Sequence, residues 1–450
     1  MHAKSAYLFH ARATLVLGLP LIGSHVAQFI LHLTDTLMLG WYGVVPLAAG
    51  VLGASSFFTM FILGSGFAKA VMPMVASANA QGDVRQVRRV ARMGLWLSIL
   101  FSILTYPVFW WSGPILLALG QEPDVSALAQ TYLRIAGLGM APALLVMVLK
   151  SYLSALERTQ VVLWVTVAAV PLNVVLNWAL IFGNWGVPEL GVAGSAIATV
   201  IVQIVSLLMI VLYAALLPAL AQYSLFQRFW RPDWPGFRAV FRLGWPMGLT
   251  GLAESGLFQA SALMMGWIGT TELAAHGIAL EITALAFMVH VGLSNAVTVR
   301  GGQAYGARDW TGLRQGALTG IALSFSMALI TVLVFLTMPE ALISVFLNLE
   351  DPASALIIVT GTSLLACAAL FQLADGMQAM ALGLLAGVQD TKVPMVLASV
   401  SYWLVGIPAS YALAFPLGYG PVGLWLGLVV GLAMAAVSLM LRFWLRLPKG

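Results

Sequence analysis

Residues 14–40 read TLVLGLPLIGSHVAQFILHLTDTLMLG. The run is apolar and longer than the roughly 20 residues a helix needs to cross a hydrocarbon core of about 30 Å. It also carries His25, Gln28, His32 and Asp35, whose spacing places all four on one helical face. Lipid cannot satisfy a polar stripe, so this face must meet protein or water. The stretch therefore predicts a membrane helix inside a helical bundle, with Asp35 as its natural cation or proton site.

The remaining chain extends that reading. Of 450 residues, 61% are hydrophobic and 8% charged, against about 25% charged in soluble domains. Further apolar runs at 46–76, 93–117, 128–150, 161–182, 193–217, 243–267, 274–298, 316–337, 355–385, 394–415 and 421–441 predict twelve spans. Nineteen of the 21 Lys and Arg fall in loops on the side of the termini, and the other two, Lys69 and Arg134, fall inside spans. The opposite loops hold Glu122, Asp124, Glu189, Glu272, Glu340, Glu350 and Asp351. By the positive-inside rule both termini are cytoplasmic, in a multi-pass protein of the cytoplasmic (inner) membrane. The first run lacks a small-residue cleavage pattern and reads as a retained span. Lys69 and Lys150, near cytoplasmic ends, are expected to snorkel. The single cysteine, Cys367, excludes a disulfide or a cysteine metal cluster. No Walker loop, HExxH or nucleophile triad occurs, so neither an enzyme nor an ATP-driven pump is expected, and no cofactor or structural metal.

The chain also repeats itself. Leu17-Gly18-Leu19-Pro20 recurs as Leu243-Gly244-Trp245-Pro246, 226 positions later. At that offset Met38-Leu39-Gly40-Trp41-Tyr42-Gly43 recurs as Met264-Met265-Gly266-Trp267-Ile268-Gly269, and Leu47-Ala48-Ala49 as Leu273-Ala274-Ala275. The expected fold is all-α: two six-helix bundles, an N-lobe over 1–217 and a C-lobe over 243–450, joined by a cytoplasmic linker over 218–242. An even number of spans per half makes the repeats parallel, with a pseudo-twofold axis along the membrane normal and alternating access to a central cavity.

Four acids fall within predicted spans: Asp35, Glu254, Glu281 and Asp375. A charge at mid-bilayer costs about 2.5–3.5 kcal/mol on insertion scales, so such residues are functional candidates. Glu254 shares a face with Thr250 and Ser261, roughly 16 Å into its span at about 1.5 Å per residue. Gln372 and Asp375 stand one turn apart. Glu254 and Asp375, in one lobe, can share a cation such as Na⁺ or hold one proton between them. Glu281 lies only seven residues into its span and can face a wet vestibule. Asn173 and Asn177 share a face of the fifth span, able to hold a carboxylate or a cation. Asn177, Gln28 and the histidines serve equally as helix–helix hydrogen-bonders. The repeat partner of Asp35 is Ser261 and that of Glu254 is Gln28, so each lobe keeps an acid where the other is neutral.

Several segments resemble the multidrug and toxic compound extrusion (MATE) transporters, in their NorM-like bacterial branch. They are Leu33-Thr34-Asp35-Thr36-Leu37-Met38-Leu39-Gly40, Pro171-Leu172-Asn173-Val174-Val175-Leu176-Asn177-Trp178, Pro188-Glu189-Leu190-Gly191, Ala274-Ala275-His276, Asp375-Gly376-Met377-Gln378 and Gly387-Val388-Gln389-Asp390. The resemblance implies a monomeric antiporter exporting organic cations and drugs against H⁺ or Na⁺, with no nucleic-acid partner. Asp35 matches the family's N-lobe acid, Asn173 its polar partner, and Glu254 and Asp375 the C-lobe acids of the cation site. In the NorM branch a tyrosine often precedes the tenth-helix acid by four residues. Here Phe371 stands there, removing a hydroxyl ligand for Na⁺. With His32 beside Asp35, the expectation leans toward proton coupling. The alternative is a flippase for a lipid-linked or amphiphilic metabolite, which would need a basic cavity.

Overall fold

The computed structural model describes residues 3–347 and 352–448, so the predicted loop acids Glu350 and Asp351 lie outside the described residues. The described chain is helical, with no strand among the described residues. In order come α1 (Ala3–Tyr42), α2 (Val44–Ala80), α3 (Val84–Trp110), α4 (Ser112–Ala118), α5 (Pro123–Ala136), α6 (Met140–Ala155), α7 (Thr159–Phe182) and α8 (Val192–Leu216). Then follow α9 (Trp234–Ile268), α10 (Thr270–Ala307), α11 (Trp310–Thr337), α12 (Pro339–Ser344), α13 (Ala353–Gly387), α14 (Lys392–Ser399), α15 (Ile407–Ala414) and α16 (Gly420–Arg446).

Eleven of the resulting spans are long and apolar enough to cross a membrane among the described residues. The predicted span at 243–267 lies in α9, which forms as one helix but is not among the eleven. Glu254, Ser255, Gln259 and Ser261 dilute its apolar character. Helices outrun their apolar segments because backbone hydrogen bonding continues past polar side chains: α1 starts at Ala3, well before the apolar run at 14–40. The predicted span 394–415 is broken differently. A π-helical stretch, Val400–Gly406, separates α14 from α15. Pro408, which lacks an N–H to continue the ladder, follows it directly in α15. By contrast α1, α7 and α9 run unbroken through Pro20, Pro171 and Pro246.

The sequence repeat reappears as repeated local geometry. Asp83 caps α3 by accepting from the Gln86 N–H at 2.9 Å. Asp309, at the repeat offset, caps α11 by accepting from the Gly312 N–H at 2.8 Å. Gly43 and Gly269, again equivalent, precede α2 and α10 in the same extended backbone.

The chain forms two compact units, Gly23–Gly248 and Met1–Ile22 with Leu249–Gly450. Two helices, α1 and α9, begin in one unit and end in the other, and their break points are themselves repeat partners. In the first unit Gly66 of α2 lies against α9 so closely that a Cβ there would stand 2.3 Å from the Gly244 carbonyl oxygen and 2.4 Å from the Gly248 nitrogen. In the second unit its repeat partner Gly292, on α10, meets α1 the same way: a Cβ would stand 2.4 Å from Ile22 Cγ1 and 2.7 Å from its nitrogen. Small residues allow membrane helices this approach. The first unit's core gathers Phe109, Leu133, Met140, Leu144 and Ile181, and the second's gathers Leu365, Leu384, Trp425, Leu428 and Leu432. Polar bonds seam α10 to α13, where Ser294 Oγ donates to the Ala379 carbonyl at 2.7 Å and Thr298 Oγ1 to that of Gly383 at 2.9 Å.

Candidate functional site

In the first unit Asp35, on α1, is enclosed by donors. Asn173 Nδ2 and Asn177 Nδ2, one turn apart on α7, donate to its Oδ1 at 3.0 and 2.6 Å. Asn177 spends its other amide hydrogen on Asn173 Oδ1 at 3.1 Å. That arrangement fixes both amides with nitrogen toward the carboxylate, since the reverse would oppose two acceptors. The Thr199 hydroxyl of α8 lies 3.4 Å from Asp35 Oδ2 and 3.1 Å from the Ser195 carbonyl. Thr199 escaped the sequence reading because a lone threonine in an apolar helix usually bonds its own backbone. The stripe on α1 divides. His32 is exposed, within electrostatic reach of Asp35 but not among its hydrogen-bond partners. Gln28 is exposed as well and likewise is not one of those partners.

In the second unit Glu254 of α9 and Asp375 of α13 come within electrostatic reach of each other. Gln378, one turn after Asp375, donates from Nε2 to Glu254 Oε1 at 3.1 Å. Gln372, expected beside the acid, gives its amide to the Thr283 carbonyl instead, at 2.8 Å. Asp375 Oδ1, Gln378 Oε1 and the hydroxyl of Tyr402 are buried with no hydrogen-bond partner in the protein. Tyr402 is fully buried, lies in the π-helical stretch and is within electrostatic reach of both acids. Its neighbour Trp403 ties that stretch to α9, donating from Nε1 to the Ala253 carbonyl at 3.1 Å. π-helical turns recur at functional sites; a tyrosine in the apolar run at 394–415 carries no such signal in the sequence. Glu281 is exposed on α10. Phe371 is buried between Phe258 and Trp425, at ring separations of 5.9 and 5.5 Å. No group of three or more His, Cys, Asp and Glu gathers as a metal site among the described residues.

Ser261, the repeat partner of Asp35, belongs to a neutral network. Trp425 Nε1 donates to His276 Nδ1 at 3.0 Å. An indole N–H only donates, so His276 Nδ1 is unprotonated and the ring hydrogen sits on Nε2, facing Ser261 Oγ at 3.4 Å. Ser261 in turn donates to the Phe258 carbonyl at 2.7 Å.

A fourth polar group corrects the snorkelling expectation. Lys150 turns inward, its Nζ donating to Thr166 Oγ1 at 2.7 Å, and Thr166 is 2.9 Å from Ser24 Oγ. Lys150 and Lys69 both lie within electrostatic reach of His25. Hydropathy counts a lysine near a span end as interfacial; it does not register the Thr166 hydroxyl on the next helix, α7, that draws Lys150 inward.

Repeated bundles of membrane-crossing helices with isolated acids set deep within them define a membrane transporter. The MatE family model matches residues 20–179 and again 246–412, starting each time at the repeated proline. The chain belongs to this family. It is similar to proteins described as probable multidrug resistance protein NorM. The one from Rhizobium meliloti (strain 1021) is 47% identical, covering 97% of this chain and 93% of the relative. That from Synechocystis sp. is 34% identical, covering 96% and 94%. Among solved structures the fold is shared by MATE in complex with MaL6 (TM-score 0.88, 22% identity, 97% of this chain and 96% of that one). It is shared too by the eukaryotic MATE transporter AtDTX14 (TM-score 0.85, 20% identity, 98% and 96%).

Proposed function

We propose that the chain is a cation-coupled antiporter that exports cationic or amphiphilic drugs across the cytoplasmic membrane by alternating access, as a monomer with both termini cytoplasmic. The observation that carries this reading is the set of intramembrane acids held by neutral groups: Asp35 by two asparagines and a threonine, and Asp375 with a carboxylate oxygen that nothing in the protein satisfies. A charge placed at such cost is retained for a charge that comes and goes. Proton or Na⁺ entry neutralises the Glu254 and Asp375 pair, cationic cargo leaves, and the inward-facing state is favoured in proportion to the ligand's differential affinity for the two states. The relatives' description as multidrug resistance proteins supports the cargo class, and Phe371 in place of a hydroxyl ligand supports the proton. The deciding measurement is ethidium transport in proteoliposomes with a pH gradient and a Na⁺ gradient imposed separately. Proton-driven transport is expected; transport driven by Na⁺ alone at clamped pH overturns the ion, and transport under neither gradient overturns antiport.

One observation favours a second reading, export of an amphiphile with an anionic head. Lys150, Lys69 and His25 form a basic cluster inside the first unit. Accumulation of an anionic lipid analogue but not ethidium in the same vesicles would select it.

A further inference from the structure

Arg88 and Arg92 stand one turn apart near the start of α3. The chain that joins α8 to α9 folds back onto this face. Arg92 Nη1 donates to the carbonyls of Gln227 and Arg228 at 3.3 and 2.8 Å. Trp96 Nε1 donates to the Phe229 carbonyl at 2.9 Å, and the two rings pack 6.2 Å apart. Arg89 holds the end of the segment through Asp233, which accepts from its Nε and, at 2.9 Å, from its Nη2. The fold-back brings Arg228 and Arg231 to Arg88 and Arg92. Four guanidinium groups and Gln227 line a pocket of about 390 Å³, wholly within the unit Gly23–Gly248.

Gathering four like charges around one pocket is unfavourable unless something answers them. Asp233 offsets part of the charge on Arg92, but its hydrogen bonds go to Arg89 and to the Gly236 N–H, at 3.1 Å. The Arg92 Nε–H is buried with no partner in the protein. A tetrahedral oxyanion suits this donor set, since planar guanidinium forks bind phosphate oxygens in pairs. The surroundings select its source. The pocket lies where α3 meets the loops, on the side that holds nearly all the Lys and Arg. Trp230 and Trp234 beside it are 72% and 66% exposed, as in the aromatic belts of membrane interfaces. Basic pockets at membrane-helix ends bind anionic head groups. We infer that this arginine pocket binds the phosphate of an anionic phospholipid in the adjoining leaflet. It shares no residue with the acid sites, and the inference does not depend on what the protein transports.

The test is native mass spectrometry of the full chain titrated with phosphatidylglycerol, phosphatidylcholine or inorganic phosphate. Wild type is expected to prefer phosphatidylglycerol. Arg88→Gln, Arg228→Gln and Arg231→Gln together should weaken that binding about a hundredfold, at roughly fivefold per surface charge removed. Arg89 and Arg92 are left in place because they hold the backbone. The lysine variant R88K/R228K/R231K keeps every charge but loses the forks, so it should bind phosphatidylglycerol more weakly than wild type and more tightly than the glutamine variant; binding no tighter than the glutamine variant overturns the electrostatic account. Should the glutamine variant not fold, wild type gives its own reading: about 1 M salt, where the screening length is about 3 Å, must erase the preference. An unchanged preference in the glutamine variant, or in wild type at that salt, overturns the site. Inorganic phosphate binding as tightly as the lipid overturns the lipid as its occupant.

Discussion

Asp35 is met by two amide nitrogens and a hydroxyl, whereas Asp375 and its neighbour Gln378 present oxygens that receive nothing from the protein. The first environment is made mainly of donors, with Asn177 Oδ1 buried beside them without a partner. The second is made of acceptors and pairs two acids, so a proton or cation is what it lacks chemically. The positions equivalent to each acid in the other half are neutral: Ser261 is absorbed in the chain from Trp425 through His276, and Gln28 is exposed. One repeated scaffold thus carries two sites of opposite hydrogen-bonding character. If the site of Glu254 and Asp375 couples the ion and the site of Asp35 only holds a charge, the two should answer differently to substitution.

The largest effect tests that division directly. Asp375→Asn and Glu254→Gln should each reduce gradient-driven ethidium transport in proteoliposomes to the rate of empty vesicles. Asp35→Asn should also fail, but by losing the charge: its amide oxygen can still accept from Asn173 and Asn177, and its new N–H can meet the Thr199 hydroxyl. Asn173→Asp in the Asp35→Asn background restores a carboxylate to the cage and should recover part of the activity. No recovery would show that Asp35 itself exchanges the ion, and the contrast between the sites would collapse.

The scaffold beneath the sites should respond alike in both halves. Gly66→Ala drives a methyl into backbone atoms of α9, and Gly292→Ala drives one into Ile22. Overpacking costs about 1–3 kcal/mol and often more against backbone, so both should lower the melting temperature in detergent, Gly66→Ala the more. Asn177→Ala should cost about 2 kcal/mol, the usual worth of a hydrogen bond to a charged group, with no such loss from Gln372→Ala beyond its packing. At the surface of the first unit, hydrogen bonds from Arg89 hold Asp233 below the ordinary carboxylate range. A depressed folded-state value stabilises above the unfolded pKa and is lost as pH falls through the folded one. Wild type should therefore lose about 0.5–1 kcal/mol below roughly pH 4 that Asp233→Asn lacks at every pH. Melting curves from pH 3 to 7 would show it, and parallel curves would remove the pair from the account.

The sequence made the helices and the repeat legible because apolar length and loop charge are local signals, and it made the acids legible because a carboxylate in an apolar run stands out. Partners were legible only where they carried a signature: Asn173 and Asn177 show a one-turn spacing, but Thr199 and Tyr402 look ordinary in their runs, and Gln378, one turn after Asp375, bonds Glu254 on another helix. The same blindness explains Lys150, read as snorkelling until Thr166 of α7 was placed beside it. Gln372 erred in the opposite direction, since a one-turn neighbour of Asp375 found a nearer acceptor in the Thr283 carbonyl. Nor could composition show that α1 and α9 each divide between compact units, because the break at Ile22 and at Gly248 changes no helix.

The smallest expected effect separates the two ions at the acceptor site. The Tyr402 hydroxyl is fully buried beside Glu254 and Asp375 without a partner in the protein. An unsatisfied buried hydroxyl costs about 1–3 kcal/mol, so Tyr402→Phe should leave the melting temperature unchanged or raise it. A proton needs only one acceptor, and the carboxylates supply it. A metal cation such as Na⁺ needs several oxygens, and the Tyr402 hydroxyl is one within electrostatic reach of both acids. Proton coupling therefore predicts that Tyr402→Phe keeps gradient-driven efflux within about twofold, because neither carboxylate is touched. A much larger fall in efflux with an intact melting temperature would make the phenol oxygen a cation ligand. It would turn the acceptor site into a metal-coupled one, while leaving the donor cage around Asp35 as it stands.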